Sequence, residues 1–289
     1  MKLALGTAQF GLEYGIANQQ GRVSRDDVES IVRHARAAGL DTLDTAIAYG
    51  DCEQQLGEIG VSDWQIVSKL PAMSDDCRDV ADWITGSAQA SLRRLRVDRL
   101  HGLLLHRPHQ LVEPRGAQLY RALEQLRTDG LVAKIGVSIY ESSELDALCG
   151  PFHFDLIQAP FNLFDRRLIE SGWMSRLAAR GTELHVRSVF LQGLLLMPRD
   201  NRPPGFDRWA PLWKRYEDWL GQAGVTPLQA CLRHASSFPE IAKVIVGVDS
   251  LRHLTEILEA AEGPAPEGSE ALGTDDPDLI NPSRWAAPA

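Results

Sequence analysis

The chain of 289 residues has few cysteines and no long apolar run. Its cysteines are Cys52, Cys77, Cys149 and Cys231. They are scattered, with neither metal-ligand spacing nor the pattern of a disulfide framework, which favours reduced thiols in a cytoplasmic protein. No segment approaches 18 uninterrupted apolar residues, and the first eleven residues lack a charged start and a cleavage site. The sequence therefore predicts neither a transmembrane helix nor a signal peptide.

Basic residues are also in deficit, with 30 Lys and Arg against 39 Asp and Glu, a net charge of −9. Nucleic-acid and anionic-membrane surfaces depend on clustered Lys and Arg, so this balance argues against both kinds of partner. The apolar content of 44% and charged content of 24% are typical of a globular protein. The sequence also indicates no metal site.

What the sequence does contain is a repeated alternation of strand and helix patterns. Apolar, strand-like runs occur at Leu3–Thr7, Thr42–Ala46, Gln65–Leu70, Leu100–Leu105, Lys134–Ser138, Leu156–Ala159, Glu183–Val189 and Lys243–Val248. Helical periodicity occurs at Arg25–Ala38, Asp79–Leu95, Gly116–Thr128, Trp213–Gln222, Pro227–Ser237 and Arg252–Ala261. Parallel strands require such crossovers, and eight units in this length predict a single-domain α/β fold, a (β/α)8 TIM barrel over residues 1–261.

The last part of the chain differs in composition. Residues 262–289 are rich in Pro, Gly and acidic residues, which predicts a mobile C-terminal tail. Ile280 to Trp285 regains apolar character, and Trp285 could dock back on the barrel. Within the barrel, Leu196–Leu212 is the candidate wall or lid of a pocket, with a plain connecting loop as the alternative.

Four polar residues follow successive predicted strands, where the active sites of such barrels lie. They are Asp44 and Tyr49 after the second strand, Lys69 at the end of the third and His106 after the fourth. Each has a simpler interpretation alone: a helix cap, a packing aromatic, a solvated charge or a structural histidine. Their common position at one rim favours a shared chemical role.

Carbonyl reduction would use these groups together. A tyrosine with a pKa near 10 donates a proton poorly unless a cation stabilises its phenolate. A lysine about 4 Å away, at an effective dielectric constant of about 20, contributes roughly 4 kcal/mol, or about three pKa units. An aspartate would keep the lysine charged, and a histidine would orient the carbonyl.

With these residues the sequence resembles the aldo-keto reductase superfamily, and it is identified as a bacterial member. The resemblance is carried by Asp44-Thr-Ala-x-x-Tyr49-Gly50, by Lys69 and His106, and by the opening Leu5–Gly11. It implies that Tyr49 is the general acid–base, that Lys69 and Asp44 support it electrostatically, and that His106 orients the carbonyl.

The resemblance also implies a set of nicotinamide-cofactor contacts. These are Gly6, Thr7, Ala8, Ser138, Gln158, Arg187, Ser188, Phe190, Gln192, Gly193, Gly247, Asp249, Ser250, His253 and Glu256. Four positions depart from the family pattern: Ile139 and Ile257 stand where Asn is usual, Arg187 replaces an aromatic, and Asp249 replaces a basic residue. Because Asp249 removes one contact to a 2′-phosphate, we expect NADP(H) to be favoured only modestly over NAD(H).

Three functions follow from these patterns. The first is NAD(P)H-dependent reduction of an aldehyde or ketone, for which Arg107 and the first-loop residues Gln9, Glu13, Tyr14 and Asn18 suggest a hydroxylated, sugar-like or charged substrate. The second is a cofactor-binding redox reporter with vestigial turnover, suggested by Ile139 and Asp249. The third is a barrel aldolase that forms a Schiff base on Lys69.

Overall fold

The computed structural model describes residues 1–18 and 20–285, and its eight strands close into one parallel barrel in sequence order. The strands are β1 Leu3–Gly6, β2 Thr42–Asp44, β3 Gln65–Leu70, β4 Leu100–Leu105, β5 Val132–Ser138, β6 Leu156–Pro160, β7 Glu183–Arg187 and β8 Ile241–Gly247. Closure is made by β1 and β8, where Gly6 pairs with Gly247. The predicted (β/α)8 fold is confirmed, and two of the eight strands keep the predicted bounds at both ends.

Helices surround the barrel. They are α1 Ala8–Gly11, α2 Arg25–Ala37, α3 Cys52–Ile59, α4 Val80–Leu95, α5 Gly116–Thr128, α6 Glu144–Leu148, α7 Arg167–Glu170, α8 Trp173–Ala179, α9 Ala210–Ala223, α10 Pro227–Ser236, α11 Leu251–Ala260 and α12 Pro277–Ile280. Short 3-10 helices lie at Pro108–Val112, Leu194–Leu196, Arg199–Asn201, Pro204–Trp209, Ser269–Leu272 and Pro282–Arg284. The helices without a sequence prediction, α1, α3, α6, α7, α8 and α12, have at most eight residues each, too few turns for a clear period.

Side-chain caps explain why the longer helices begin where the sequence indicates. The Ser24 hydroxyl accepts a hydrogen bond from the Asp27 N–H at the start of α2. The Asp79 carboxylate accepts from two N–H groups of α4. Thr226 and Gln229 form a reciprocal capping box at the start of α10. Each cap satisfies backbone donors that the first helical turn leaves without partners.

The core lies in two places. Val67, Leu104 and Leu156 fill part of the barrel interior, whereas the much larger apolar cluster lies between the strands and the surrounding helices. The strands are therefore buried on both faces, which explains their continuous apolar runs. This packing fixes the carboxyl ends of the strands, where the candidate site lies.

Residues 262–285 differ from the mobile tail that their composition predicts. Leu272, Leu279 and Ile280 are buried, and the Thr274 N–H donates to the Phe164 carbonyl over 2.9 Å. The Trp285 ring packs edge-on against Phe206 with centroids 5.0 Å apart. The average composition of this segment hides its few apolar residues. The side chains of those residues pack against the rest of the protein, so the segment is docked. Residues 286–289 lie outside the described residues.

Several other features bear on the class of protein. All four cysteines are free. Within residues 1–18 and 20–285, no helix has the length and apolar content to cross a bilayer. The same residues contain no cluster of three or more His, Cys, Asp or Glu side chains arranged to hold a metal ion.

Candidate active site

A buried polar network crosses the upper end of the barrel. Lys69 on β3 places its Nζ 2.7 Å from Asp44 Oδ1 on β2, and the same amine donates to the Thr45 carbonyl over 2.9 Å. The other carboxylate oxygen of Asp44 accepts from Gln158 Nε2 on β6, over 2.6 Å. Lys69 is 1% exposed and Asp44 5%, so both charges are held by protein groups and little by water.

Tyr49 and His106 lie above this network. Lys69 Nζ is 5.4 Å from the centroid of the Tyr49 ring, and the Tyr49 and His106 rings meet edge-on with centroids 6.3 Å apart. Both rings are half-buried. The four residues that the sequence placed at one rim are therefore brought together, and their chemical roles remain a proposal.

The protonation states differ from the sequence-based expectation for Tyr49. Burial, followed by the Asp44 carboxylate, raises the pKa of Tyr49 well above its usual 10. The lowering that the sequence analysis expects from Lys69 does not offset this rise. Burial lowers the pKa of Lys69, and its pairing with Asp44 only partly opposes this. Burial, Lys69 and Arg187 together lower the pKa of His106 to about 4.

These shifts leave two neutral hydrogen-bond donors at the centre of the site. At neutral pH Tyr49 keeps its phenolic proton and His106 is an uncharged imidazole with one N–H. Both are suited to a carbonyl oxygen, on which negative charge develops during reduction.

Next to the network, two polar side chains on neighbouring strands are hydrogen-bonded to each other. Ser138 and Gln158 are register partners on β5 and β6, and the Ser138 hydroxyl donates to Gln158 Oε1 over 3.2 Å. Both are almost completely buried. Gln158 also contacts Asp44, which the sequence alone did not reveal because the two residues are 114 positions apart.

Arg187, at the end of β7, does not point outward. Its Nη2 donates to the Ile139 carbonyl over 2.8 Å and its Nη1 donates to the Ser188 hydroxyl over 3.2 Å. The guanidinium carbon lies 4.7 Å from the centroid of the Tyr140 ring. Tyr140 was not among the predicted site residues, although its position two residues after Ser138, at a strand end, was an available signal.

The loop after β7 has a strained backbone and meets the first loop. Ser188, Leu191 and Gln192 have left-handed φ angles of 61°, 49° and 54°. Gln192 Nε2 lies 3.5 Å from the Tyr14 hydroxyl. At Gly193 (φ 89°) a Cβ would stand only 2.4 Å from the Ala17 side chain, so glycine allows the two loops to touch. Such strain persists only where surrounding structure enforces it, and it is concentrated at functional sites.

The closing strands also approach closely. A Cβ on Gly247 would stand 2.5 Å from the Gln9 amide, and one on Gly6 would stand 2.9 Å from Ile245. Thr7 is fully buried and its hydroxyl donates to the Asp44 carbonyl, while Ala8 begins α1. The hydroxyl of Thr7 therefore makes a hydrogen bond within the fold, and the two glycines allow Gln9 and Ile245 to pack closely against the backbone.

At the start of α11 the predicted phosphate-site residues lie together. The Ser250 hydroxyl caps the helix by accepting from the His253 N–H, and His253 Nδ1 is 4.0 Å from Asp249 Oδ2. Burial raises the pKa of Asp249, and its Oδ1 is buried without a hydrogen-bond partner among the described residues. Glu256, in contrast, faces solvent beside Arg252.

The remaining predicted residues have structural contacts. Asn18 holds the first loop through hydrogen bonds with the backbone of Gly21. Phe190 packs partly buried against the core. The segment 196–212 is tied to the C-terminal residues, for example by Trp209 Nε1 donating to Asp276 over 2.9 Å. Its role as a wall or lid remains a prediction.

Comparisons with known proteins agree with this geometry. A sequence profile of the aldo/keto reductase family matches residues 2–268. A 6-dehydroglucose reductase from Novosphingobium aromaticivorans is 30% identical over 139 residues, covering 42% of this chain and 44% of its own. The chain spans about half the length of this relative and of two other curated aldo-keto reductases, from a Mycobacterium species and from Bacillus subtilis.

Two solved structures share the fold along most of the chain. A glycerol dehydrogenase from Gluconobacter oxydans has a TM-score of 0.72 at 21% identity, covering 100% of this chain and 94% of its own. The holo form of an aldo-keto reductase from Bacillus halodurans has a TM-score of 0.74 at 20% identity, covering 94% and 89%.

Proposed function

Because the chain belongs to the aldo/keto reductase family, we propose that it reduces an aldehyde or ketone to an alcohol with NAD(P)H as reductant and Tyr49 as general acid. The observation that carries the proposal is the buried Lys69–Asp44 ion pair beneath the Tyr49 and His106 rings. The substrate is a small-molecule carbonyl compound, and neither nucleic acid nor membrane is a partner.

In this mechanism the protonated Tyr49 hydroxyl gives its proton to the carbonyl oxygen as charge develops there. Neutral His106 orients that oxygen by donating a hydrogen bond. Lys69 stabilises the phenolate that remains on Tyr49, and Asp44 holds the lysine in place over 2.7 Å. The raised pKa of Tyr49 makes it a reluctant donor in the free chain, so the Lys69 charge matters most once the proton has left.

The residues present fit a nicotinamide cofactor. Ser138 and Gln158 offer a hydroxyl and an amide to a carboxamide. Ser250 and His253 lie at the N-terminus of α11, where free N–H groups favour a phosphate. When bound, the cofactor supplies a hydride to the carbonyl carbon.

We propose a modest preference for NADP(H) over NAD(H), as argued from Asp249. Its carboxylate would repel a 2′-phosphate, while Arg252, His253 and the helix terminus would attract it. A cytoplasmic location is part of the same proposal, resting on four free cysteines.

The substrates of two similar proteins support a hydroxylated, sugar-like substrate. One acts on 6-dehydroglucose and another on glycerol, both polyhydroxylated compounds. The polar mouth formed by Tyr14, Gln192 and Tyr140 is suited to hydroxyl groups.

Replacing Tyr49 with Phe tests the reaction. We expect turnover to fall by at least ~10²-fold on the best carbonyl substrate, because the proton donor is lost. Cofactor affinity, measured by fluorescence titration, should stay nearly constant. An unchanged rate would contradict the proposal. A redox reporter would bind cofactor yet stay slow on every member of an aldehyde panel, and a Schiff-base aldolase would be trapped by borohydride on Lys69.

A further inference from the structure

Two arginines flank one aromatic ring at the mouth of the barrel. Arg107 immediately follows His106 after β4, and its guanidinium carbon lies 5.9 Å from the centroid of the Tyr140 ring. Arg187 approaches the same ring at 4.7 Å from the end of β7. The two cationic groups therefore meet around Tyr140, beside the proposed proton donor.

Neither cation is neutralised by the protein. Among the described residues, no carboxylate lies within 4.0 Å of either guanidinium group. The acidic groups of this rim are engaged elsewhere: Asp44 by Lys69, and Glu144 by the N–H groups of Tyr140 and Glu141. Since Tyr49 and His106 are neutral at pH 7, Arg107 and Arg187 are the cations next to them that lack a paired carboxylate within the described part of the chain.

A partly buried guanidinium without a counter-ion is costly, and its planar fork of N–H donors matches carboxylate and phosphate oxygens. Arg187 is already oriented by the Ile139 carbonyl and the Ser188 hydroxyl. Arg107 is exposed, and its guanidinium has no hydrogen bond to the described residues, so it is free to turn towards a ligand.

We propose that Arg107 and Arg187 form an anion subsite, and that the substrate is a short carbonyl compound bearing a carboxylate or phosphate group. This rests on the proposed reductase function and narrows its substrate class. The carbonyl lies at Tyr49 and His106, and the anionic group lies across Tyr140 from it. The subsite holds the substrate by its charged end and thereby lowers KM for acidic carbonyl compounds.

The experiment compares matched substrates: succinate semialdehyde with its methyl ester, and glyceraldehyde phosphate with glyceraldehyde. We expect kcat/KM of the wild-type protein to be at least about tenfold higher for the charged member of one pair. Which pair shows the larger preference distinguishes carboxylate from phosphate.

In the Arg107→Gln variant the preference for the charged substrate should fall about tenfold, because KM for that substrate rises. The value of kcat/KM for the neutral substrate should change less than about twofold. Arg107→Lys should restore part of it, because lysine keeps the charge but not the planar fork. Arg121→Gln, on the exposed face of α5, removes the same charge elsewhere and should change nothing.

Binding of unreactive succinate and succinamide, followed by calorimetry, gives a readout that needs no turnover. Succinate should bind more tightly than succinamide to the wild-type protein, and Arg107→Gln should abolish the difference. Two outcomes would overturn the subsite and leave the reductase proposal standing. One is that the wild-type protein turns over neutral aldehydes and shows no preference for acidic ones. The other is that Arg107→Gln lowers kcat/KM equally for acidic and neutral aldehydes. Absence of turnover on every aldehyde, together with selective succinate binding, overturns the reductase proposal instead.

Discussion

The barrel holds a buried ionic cluster at its upper end and a partly buried one at its lower end, and the two are built differently. At the upper end, Asp44 accepts from Lys69 and Gln158, and titratable rings stand directly above. At the lower end, Glu183 Oε1 lies 3.2 Å from His101 Nε2 and 2.6 Å from His185 Nε2, and its Oε2 pairs with Lys134. The upper cluster borders an open mouth, whereas the lower one plugs the floor.

The electrostatic consequences differ accordingly. Burial alone would raise the pKa of Glu183, but hydrogen bonds from His101, His185 and Lys134 hold it well below its usual range. The lower cluster thus stabilises a permanent carboxylate. In the upper cluster the pKa values of Lys69, Tyr49 and His106 all move towards their neutral forms. The comparison indicates that the lower cluster favours a charged carboxylate, whereas the upper cluster favours the neutral forms of its titratable side chains.

The largest expected effect is on turnover at the upper end. Lys69→Met should lower kcat/KM by about 10²- to 10⁴-fold, because the phenolate loses its cation, and it should also destabilise the fold by leaving Asp44 uncompensated. The double variant Lys69→Met with Asp44→Asn should recover much of the unfolding free energy but no turnover. Steady-state kinetics measures kcat/KM, and urea unfolding measures the free energy of unfolding. Lys134→Met at the lower end serves as the control. Recovery of turnover in the double variant would contradict the proposed need for the Lys69 charge in turnover.

An intermediate effect is expected at the lower end. Glu183→Gln should reduce the unfolding free energy at pH 7 by about 1–3 kcal/mol, since Lys134 and two histidines lose a charged partner. Turnover should remain close to that of the wild-type protein. A variant that folds normally but loses activity would show that the floor is not merely structural.

The same variant has a defined pH dependence. A carboxylate with a lowered folded-state pKa stabilises the protein fully above the unfolded pKa of about 4.3, and this stabilisation disappears as the pH falls towards the folded value. The difference in unfolding free energy between wild type and Glu183→Gln should therefore shrink below about pH 4. Urea unfolding at several pH values measures it.

The smallest effect concerns cofactor choice at the upper end. We expect the wild-type ratio of kcat/KM for NADPH over NADH to fall between about 1 and 100, and Asp249→Arg to raise it about tenfold or more. The carboxylate is replaced by a cation that pairs with the 2′-phosphate. A wild-type ratio above ~10⁴, or no response to the substitution, would place the 2′-phosphate site elsewhere.

Much of the candidate site could be predicted because parallel barrels align the carboxyl ends of their strands. Asp44, Lys69 and His106 follow three neighbouring strands, so their meeting at one rim required only the strand pattern. Tyr140 could have been found this way, since it lies two residues after the end of β5, but the contact between Gln158 and Asp44 could not, because it depends on side-chain direction across the barrel. The sequence pointed to docking within Ile280 to Trp285, but it did not reveal the burial of Leu272 and Leu279, because a few buried side chains outweigh a polar composition.

By itself, the sequence determined the barrel, its capped helices and the set of residues at the rim, since periodicity and local capping act over a few residues. Only the tertiary structure decided the protonation states. The pKa of Tyr49 is raised because the closed barrel buries its ring and places the Asp44 carboxylate near it. The structure likewise decided that Arg107 and Arg187 share Tyr140, because desolvation and charge pairing depend on which distant groups the closed barrel brings together.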